Sequence, residues 1–160
     1  MNKISNESKY ELRVHPIENG TVIDHITAGQ ALNVLKILNI PGTSEGIVSI
    51  LINAPGAEER KDVVKIEGRE LKSQEVDKIA LIAPDATINI IRDFKVIRKK
   101  RVKIPSFLTG FVQCINPNCI SNSNEPITSR FEVNNKCGKI MLRCKYCEKT
   151  IEKNIADHLL

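Results

Sequence analysis

The chain has 160 residues, with 24 Lys and Arg against 19 Asp and Glu, which gives a formal net charge of +5. Hydrophobic residues make up 41% of it, enough for a packed core, and no apolar run approaches the ~20 residues that a membrane-spanning helix needs. These features predict a soluble protein of one domain or two small ones. Its first residues contain no apolar stretch of signal-peptide length, so we expect a cytoplasmic location and no disulfides.

The first forty residues change from an extended to a helical pattern. Apolar residues in the segment 12–26 are typical of strands on either side of a turn. Thr27 and Gln30 have the spacing of a capping box, and apolar residues then recur at helical spacing as far as Pro41. A strand followed by a helix is predicted.

The next sixty residues repeat the alternation. Four apolar segments predict strands: 47–53, 63–66, 87–91 and 94–97. Ser73 is placed to cap a second helix, which must end before Pro84. The order β-α-β-β-α-β predicts an α+β fold, with the ferredoxin-like arrangement.

A basic cluster marks the join between two predicted domains, 1–102 and 103–160. It consists of Arg98, Lys99, Lys100, Arg101 and Lys103. The cluster is compatible with a solvated linker or with an anion site at the end of the preceding strand.

Two cysteine pairs predict a metal site in the second domain. Four residues separate Cys114 from Cys119, and two separate Cys144 from Cys147. Such pairs on tight turns can place four thiolates about 2.3 Å from one Zn²⁺ ion with little closure entropy. Neither knuckle contains a histidine, so we expect a closed, structural site rather than a catalytic one. The alternative, buried or disulfide-bonded cysteines, fits a cytoplasmic protein less well.

The second domain is too small to bury much core, and metal commonly makes up this deficit. We therefore predict a zinc-ribbon-like β domain with one zinc ion per chain. Cys137 lies in a polar stretch that resembles a turn between strands, with no close cysteine partner, so we leave it out of the site.

Motifs of catalysis are missing from the sequence. It has no Gly-rich phosphate loop, no nucleophile elbow and no metalloprotease His-Glu pair. Asp24 and His25 could form an acid-base pair, but adjacent strand residues point to opposite faces. Binding fits better, since Asp24 can accept from ribose hydroxyls, His25 can contact a base or phosphate, and lysines such as Lys65 and Lys99 can neutralise phosphates.

Several separate segments resemble the regulatory chain of aspartate carbamoyltransferase. They are GTVIDHI at 20–26, RKDVVKIE at 60–67, APDATIN at 83–89 and CKYCEK at 144–149. The resemblance covers about residues 12–154 in the same order. It implies a non-catalytic subunit whose N-terminal domain binds nucleotide effectors such as ATP and CTP and pairs with a second regulatory chain.

The resemblance also implies that the zinc domain docks on catalytic chains, which make carbamoyl aspartate in pyrimidine biosynthesis. The family form has six catalytic and six regulatory chains. The implied effector-binding positions are Val14, His15, Ile17, Asp24, His25, Lys61, Lys65, Asn89, Val96 and Lys99. The implied zinc ligands are Cys114, Cys119, Cys144 and Cys147. The positions implied to face the catalytic chain are Asn116, Asn118, Tyr146, Glu148 and Lys149.

A rival hypothesis is a nucleic-acid-binding zinc ribbon joined to an RNA-binding sheet. The basic join and the strand order permit it. Single-stranded RNA, however, is usually bound on aromatic platforms, and only Phe94 lies on a candidate N-terminal strand. We therefore expect neither nucleic acid nor membrane as a partner.

Overall fold

The computed structural model describes residues 16–42 and 45–160. Its N-terminal elements are β1 (Gly20–Thr27), α1 (Ala31–Ile37), β2 (Val48–Pro55), β3 (Arg60–Glu67), α2 (Ser73–Ile82), β4 (Thr87–Arg92) and β5 (Lys95–Arg101). The strands form one antiparallel sheet in the order β2-β3-β1-β4-β5. This confirms the predicted β-α-β-β-α-β fold, with β5 as a further strand at the edge beside β4.

An aliphatic core fills the space between the sheet and its two helices. Ile23, Val64 and Ile66 on the strands are fully buried with Val34 of α1 and Ile79 of α2. Because side chains alternate along a strand, the residues between these core positions point to the other face of the sheet. That second face is the one that carries the polar residues discussed below.

The helix starts differ from the predicted ones. Thr27 ends β1 instead of capping α1, and Gln30 stands at the N-cap, where its side chain accepts from the Asn33 amide and makes no capping hydrogen bond to the helix backbone. A carboxylate of the neighbouring strand, Asp62, accepts the backbone N–H groups of Gly29 and Ala31 instead. Because this cap comes from tertiary structure, local spacing could not reveal it.

Helix α2 begins at Ser73 itself, so the prediction that Ser73 caps this helix is wrong by one position. Lys72 stands at the N-cap, and its backbone N–H donates to the side chain of Glu75 at 2.9 Å.

The turn between β4 and β5 contains Asp93 and Phe94, whose φ angles are 50° and 63°. Two left-handed residues form the primed turn that matches strand twist. Phe94 therefore lies in the turn rather than on the predicted strand. Since β5 runs on to Arg101, most of the basic cluster lies on an edge strand, and the linker interpretation is wrong for that part.

The C-terminal elements are β6 (Phe107–Thr109), β7 (Arg130–Lys136), β8 (Lys139–Cys144) and β9 (Thr150–Ile151), with 3-10 helices at Ile120–Asn122 and Ile155–His158. The four strands form a second antiparallel sheet in chain order. Cys137 and Gly138 make the β7–β8 turn, with φ angles of 52° and 81°. The predicted turn and the small β domain are both confirmed.

The final residues of the chain lie against α2. Val112 bridges to Leu159, and Lys78 of α2 donates to the main-chain oxygen of Leu160. The Lys78 ammonium also lies 5.5 Å from the centroid of the Phe111 ring. These contacts join the second helix to the segment that leads into the first cysteine knuckle.

Within residues 16–42 and 45–160, no helix is long and apolar enough to cross a membrane.

Candidate functional site

The structure brings together the four cysteines of the two predicted knuckles. The sulfurs of Cys114 and Cys147 are 3.5 Å apart, those of Cys119 and Cys144 are 3.7 Å apart, and all four lie within 4.8 Å of one another. Sulfurs at the corners of a tetrahedron with metal–sulfur bonds of 2.3 Å are separated by about 3.8 Å. The cluster therefore fits one tetrahedral ion, and exposed Cys137 lies outside it.

Local hydrogen bonds shape the first knuckle. The backbone N–H of Cys119 donates to the Asn116 carbonyl at 3.0 Å, and that of Asn118 donates to the Asn116 side chain at 3.1 Å. The amide of Asn122 donates to the carbonyl of Cys114 at 2.9 Å. These bonds hold the loop in a tight turn that aims both sulfurs inward.

The second knuckle closes in a similar way. The N–H of Cys144 donates to the Lys149 carbonyl at 2.9 Å, and that of Glu148 donates to the Cys144 carbonyl at 3.0 Å. Glu148 takes the left-handed conformation, with φ of 65°, that the tight turn requires.

The environments of the thiols differ widely. Burial raises the pKa of Cys114 to about 12 and also raises the pKa of Cys144, whereas the backbone N–H of Lys149 lowers the pKa of Cys147 to about 7. Four thiolates this close together repel one another unless a cation lies among them. The donor set thus suits a metal ion, and among the described residues it consists of these four cysteines.

The residues expected to face a catalytic chain lie within the two knuckles or directly after the second one. Asn118, Tyr146, Glu148 and Lys149 are exposed, while Asn116 is half-buried. The Tyr146 hydroxyl donates to the Thr128 carbonyl at 2.9 Å, which fixes the ring on the surface.

Two exposed apolar residues beside the knuckles, Ile115 and Ile120, were not predicted from the sequence as part of a site. The available signal was an isoleucine directly after each cysteine of the first knuckle, in an otherwise polar loop.

A second group of predicted residues lies in one row across the open face of the N-terminal sheet. Lys65 on β3 pairs with Val22 on β1, Val22 pairs with Asn89 on β4, and Asn89 pairs with Lys99 on β5. With strands about 4.8 Å apart, the Cα atoms of the two lysines are separated by about 14 Å. Their long side chains therefore flank a central patch that contains the Asn89 amide.

A polar cluster lies next to this row, at the end of β1. Lys61 Nζ is 2.8 Å from Asp24 Oδ1, which also accepts the backbone N–H of His25 at 2.7 Å. His25 Nδ1 lies 3.4 Å from the hydroxyl of Thr87, which pairs with Asp24 across the strands. The sequence did not identify Thr87 as a site residue, because only the strand register places it beside Asp24.

The expectation that Asp24 and His25 point to opposite faces is wrong. A bulge interrupts β1 at this point, and His25 takes a left-handed φ of 55°. Its ring consequently stays beside the Asp24 carboxylate, at 3.8 Å.

The charge of Asp24 depends on its neighbours. Burial raises the pKa of this carboxyl. The hydrogen bonds from Lys61 and from the His25 N–H, together with the Lys61 charge, lower the pKa by more than burial raises it, so it lies below the usual value. Asp24 is therefore ionised near neutral pH and can accept hydrogen bonds.

The remaining effector candidates lie at the β4–β5 end of the sheet or outside the described residues. Ile17 is buried, and the main-chain carbonyl of its neighbour Glu18 accepts the N–H of Phe94 in the β4–β5 turn. Val96 is exposed on β5, opposite Ile91. Val14 and His15 lie outside the described residues.

Taken together, the chain is an α+β protein that combines a five-stranded sheet, with one basic open face, and a small four-stranded β unit that carries a four-cysteine metal-type cluster. Residues 12–103 match the family model described as aspartate carbamoyltransferase regulatory chain, allosteric domain. Residues 106–157 match the metal binding domain of the same chain. The protein belongs to the aspartate carbamoyltransferase regulatory chain family.

Curated relatives agree over nearly the whole length. The chain is 69% identical to the aspartate carbamoyltransferase regulatory chain of Methanococcoides burtonii over 150 residues, 94% of each chain. It is 62% identical to that of Methanocella arvoryzae, over 95% of this chain and 98% of the other. For Methanosarcina barkeri the identity is 57%, over 96% and 99%. The predicted family and the non-catalytic, regulatory class of the chain are confirmed.

Proposed function

We propose that this chain binds nucleotide effectors such as ATP and CTP on its N-terminal domain and passes their effect to catalytic chains of aspartate carbamoyltransferase through its zinc domain. The single observation that carries this proposal is the cross-strand row of Lys65, Val22, Asn89 and Lys99 beside the Asp24 cluster. That surface has cations at its sides, the largely buried Asn89 amide at its centre, which donates to the Val22 carbonyl at 3.4 Å, and a carboxylate at one end.

Each part of a nucleotide has a suitable partner on this surface. Lys65 and Lys99 neutralise phosphates, Asp24 accepts from ribose hydroxyls, and Asn89 offers an amide to a base. Lys61 is held in place by its ion pair with Asp24. Exposed Val96 supplies an apolar contact at the β4–β5 end, and we assign buried Ile17, together with Val14 and His15, to the same site on the family resemblance alone.

The metal of the second domain is proposed to be one structural Zn²⁺ ion, held by Cys114, Cys119, Cys144 and Cys147. Four sulfur donors in a tetrahedron are typical of zinc. When bound, the ion neutralises the thiolates and fixes the two knuckles to each other.

The docking surface for a catalytic chain is proposed to be the exposed rim of the knuckles. Ile115, Ile120 and Tyr146 are exposed apolar residues in or beside the knuckles, and Asn118 and Glu148 are exposed polar ones. Interfaces combine such an apolar centre with a polar rim. Asn116 and Lys149 complete the predicted contact set.

We place the domain boundary between residues 102 and 103. The N–H of Val102 still donates to the carbonyl of Ala86, so this residue belongs to the N-terminal domain. A second regulatory chain is proposed to pair on the edge strand β2, where Ile50 and Ile52 are exposed. The full assembly has six chains of each kind, is cytoplasmic and serves pyrimidine biosynthesis.

Regulation requires the effector to bind two quaternary states with different affinity, typically by about 1–3 kcal/mol. Helix α2 offers a direct route for this bias, since Lys78 contacts Phe111 and Leu160 beside the first knuckle. The isolated chain should show no carbamoyl transfer, and turnover by the purified chain would refute this part of the proposal.

Calorimetric titration of CTP and ATP tests the effector site. Lys65→Ala should weaken binding by about 1.5–3 kcal/mol, the range for hydrogen bonds to charged groups, and Lys99→Ala should act alike. Lys100→Ala is the matched control, because Lys100 pairs with Ile88 and lies on the opposite face of β5. Equal affinities in the Lys65, Lys99 and wild-type proteins would remove this face as the effector site, and preference for single-stranded RNA would favour the nucleic-acid hypothesis.

A further inference from the structure

Asp62 is the charged side chain that is fully buried within the described ranges 16–42 and 45–160. Its Oδ2 accepts the backbone N–H groups of Gly29 at 2.9 Å and Ala31 at 3.1 Å, and its Oδ1 accepts the N–H of Asn53 at 2.8 Å. A buried carboxylate is costly unless it is hydrogen bonded in this way. One side chain of β3 thus ties together the start of α1 and strand β2.

Two β-bulges face the same short part of β3. The pairing of β1 with β3 shifts between Ile23 and Ile26, where His25 has its left-handed φ. The pairing of β2 with β3 shifts between Leu51 and Ala54, where Asn53 has a φ of 61°. Non-glycine residues hold such conformations only where the surroundings fix them. Asp62 binds the backbone within the β2 bulge, at Asn53, and past the end of β1, at Gly29 and Ala31, and its own backbone pairs with Ile26, the first residue after the β1 bulge.

The neighbour of Asp62 points the other way. Because side chains alternate along a strand, Lys61 reaches the open face of the sheet, where it pairs with Asp24. The backbone that carries Lys61 is anchored on the helix side by the three hydrogen bonds to Asp62. The ion pair between Lys61 and Asp24 therefore depends on Asp62, a residue that no ligand on the open face would touch.

We infer that Asp62 is a positioning residue for the effector surface: it fixes both bulges, sets the geometry of Asp24, His25 and Lys61, and links that cluster to the edge strand β2. Its effect on ligand affinity rests on the nucleotide site proposed above. Its effect on the geometry of the free protein does not.

The Asp62→Asn variant tests this inference in the full, zinc-loaded chain. An amide keeps the shape of the side chain but has only one acceptor oxygen, so the bond to Asn53 or the bonds to Gly29 and Ala31 must be lost. The NMR resonances of the Asn53 amide and of the His25 ring should therefore shift together. In calorimetric titrations, CTP should bind roughly tenfold more weakly, because Lys61 and Asp24 are no longer held in the geometry of the site.

Thr21→Val is the matched control. Thr21 is also a fully buried polar residue on the helix side of the sheet, and its hydroxyl donates to the Arg69 carbonyl at 2.6 Å. This variant should lose stability but keep the His25 resonances and the CTP affinity of wild type. Equal shifts in both variants, or none in Asp62→Asn, would overturn the inference.

If Asp62→Asn does not fold, Asn53→Gly can be added to it, since glycine takes a positive φ without strain and keeps its N–H. The same two measurements then apply to the double variant. Wild-type protein that binds no nucleotide, together with shifted His25 resonances in the variant, would overturn the proposed function and leave the role of Asp62 intact.

Discussion

The two domains of this chain obtain a fixed geometry from different sources. Among the described residues of the N-terminal domain, two helices cover one face of a five-stranded sheet, and side chains such as Ile23 and Ile66 are fully buried between them. The C-terminal domain has four short strands, no α-helix among its described residues, and a core in which Phe131 and Leu142 pack together with the cysteines. The first is expected to fold by apolar burial and the second only with its metal.

The same difference separates the two candidate sites. An open sheet face with lysines at its sides can exchange an anionic ligand without disturbing the core behind it. A cluster of four sulfurs that all bind one ion leaves no position for exchange, so the proposed ion would be part of the fold. The proposed role needs both properties, one surface that responds to the effector concentration and one that keeps its shape while it docks.

Removal of the metal should produce the largest difference in stability between the two domains. Structural zinc contributes about 10–16 kcal/mol in small zinc domains, so a chelator or Cys114→Ala should unfold the C-terminal domain and leave the N-terminal sheet intact. Metal analysis and amide NMR spectra would measure both outcomes. Cys137→Ala is the control, because Cys137 is exposed in a turn; equal metal loss in this variant would show that the ligand set is wrong.

A core truncation should act on the other domain alone. Ile66→Ala removes a fully buried side chain from β3 and should lower the free energy of unfolding by about 2–5 kcal/mol. Zinc content should stay at one ion per chain. Denaturant unfolding monitored separately for each domain is the measurement, and loss of zinc at native conditions would contradict the separate origins of stability.

As the pH falls, we expect the C-terminal domain to lose zinc before the N-terminal domain loses the Asp24 ion pair. Zinc binding requires deprotonated thiols, and burial raises the pKa of Cys114 to about 12 in the metal-free site, so protons compete with zinc increasingly as the pH falls. Asp24 has a folded pKa below its unfolded value; its ion pair therefore stabilises the fold above the unfolded pKa, and this is lost only as the pH falls through the folded one.

Asp24→Asn should accordingly cost about 1 kcal/mol near neutral pH and progressively less below about pH 4. Unfolding of both proteins across the pH range, with zinc release followed in parallel, measures this. Zinc retained at a pH where Asp24 is already protonated would reverse the expected order.

Surface charge should matter least for folding. The Arg101–Asp85 ion pair is about 70% exposed on both sides, so Asp85→Asn should change the free energy of unfolding by less than about 1 kcal/mol. Thermal unfolding is sufficient to check this. A larger loss would mean that the basic strand β5 stabilises the domain instead of only presenting charge.

Sequence alone determined the features that depend on local chemistry. Cysteine spacing predicted which four thiols meet, because a short loop leaves a pair of sulfurs few other places to lie. Alternating and helical patterns predicted the β-α-β-β-α-β order and the turn at Cys137, since strand and helix periods are properties of the backbone. Family resemblance selected the residues of the effector surface.

Only the tertiary structure decided the features that depend on register. The row from Lys65 to Lys99 exists because three strand pairings place distant residues opposite one another. Two bulges, at His25 and Asn53, reset which residues share a face, and this overturned the expectation for Asp24 and His25. The helix cap supplied by Asp62 was hidden for the same reason: a carboxylate can bond to any backbone N–H that the fold brings near it, and sequence distance does not record that proximity.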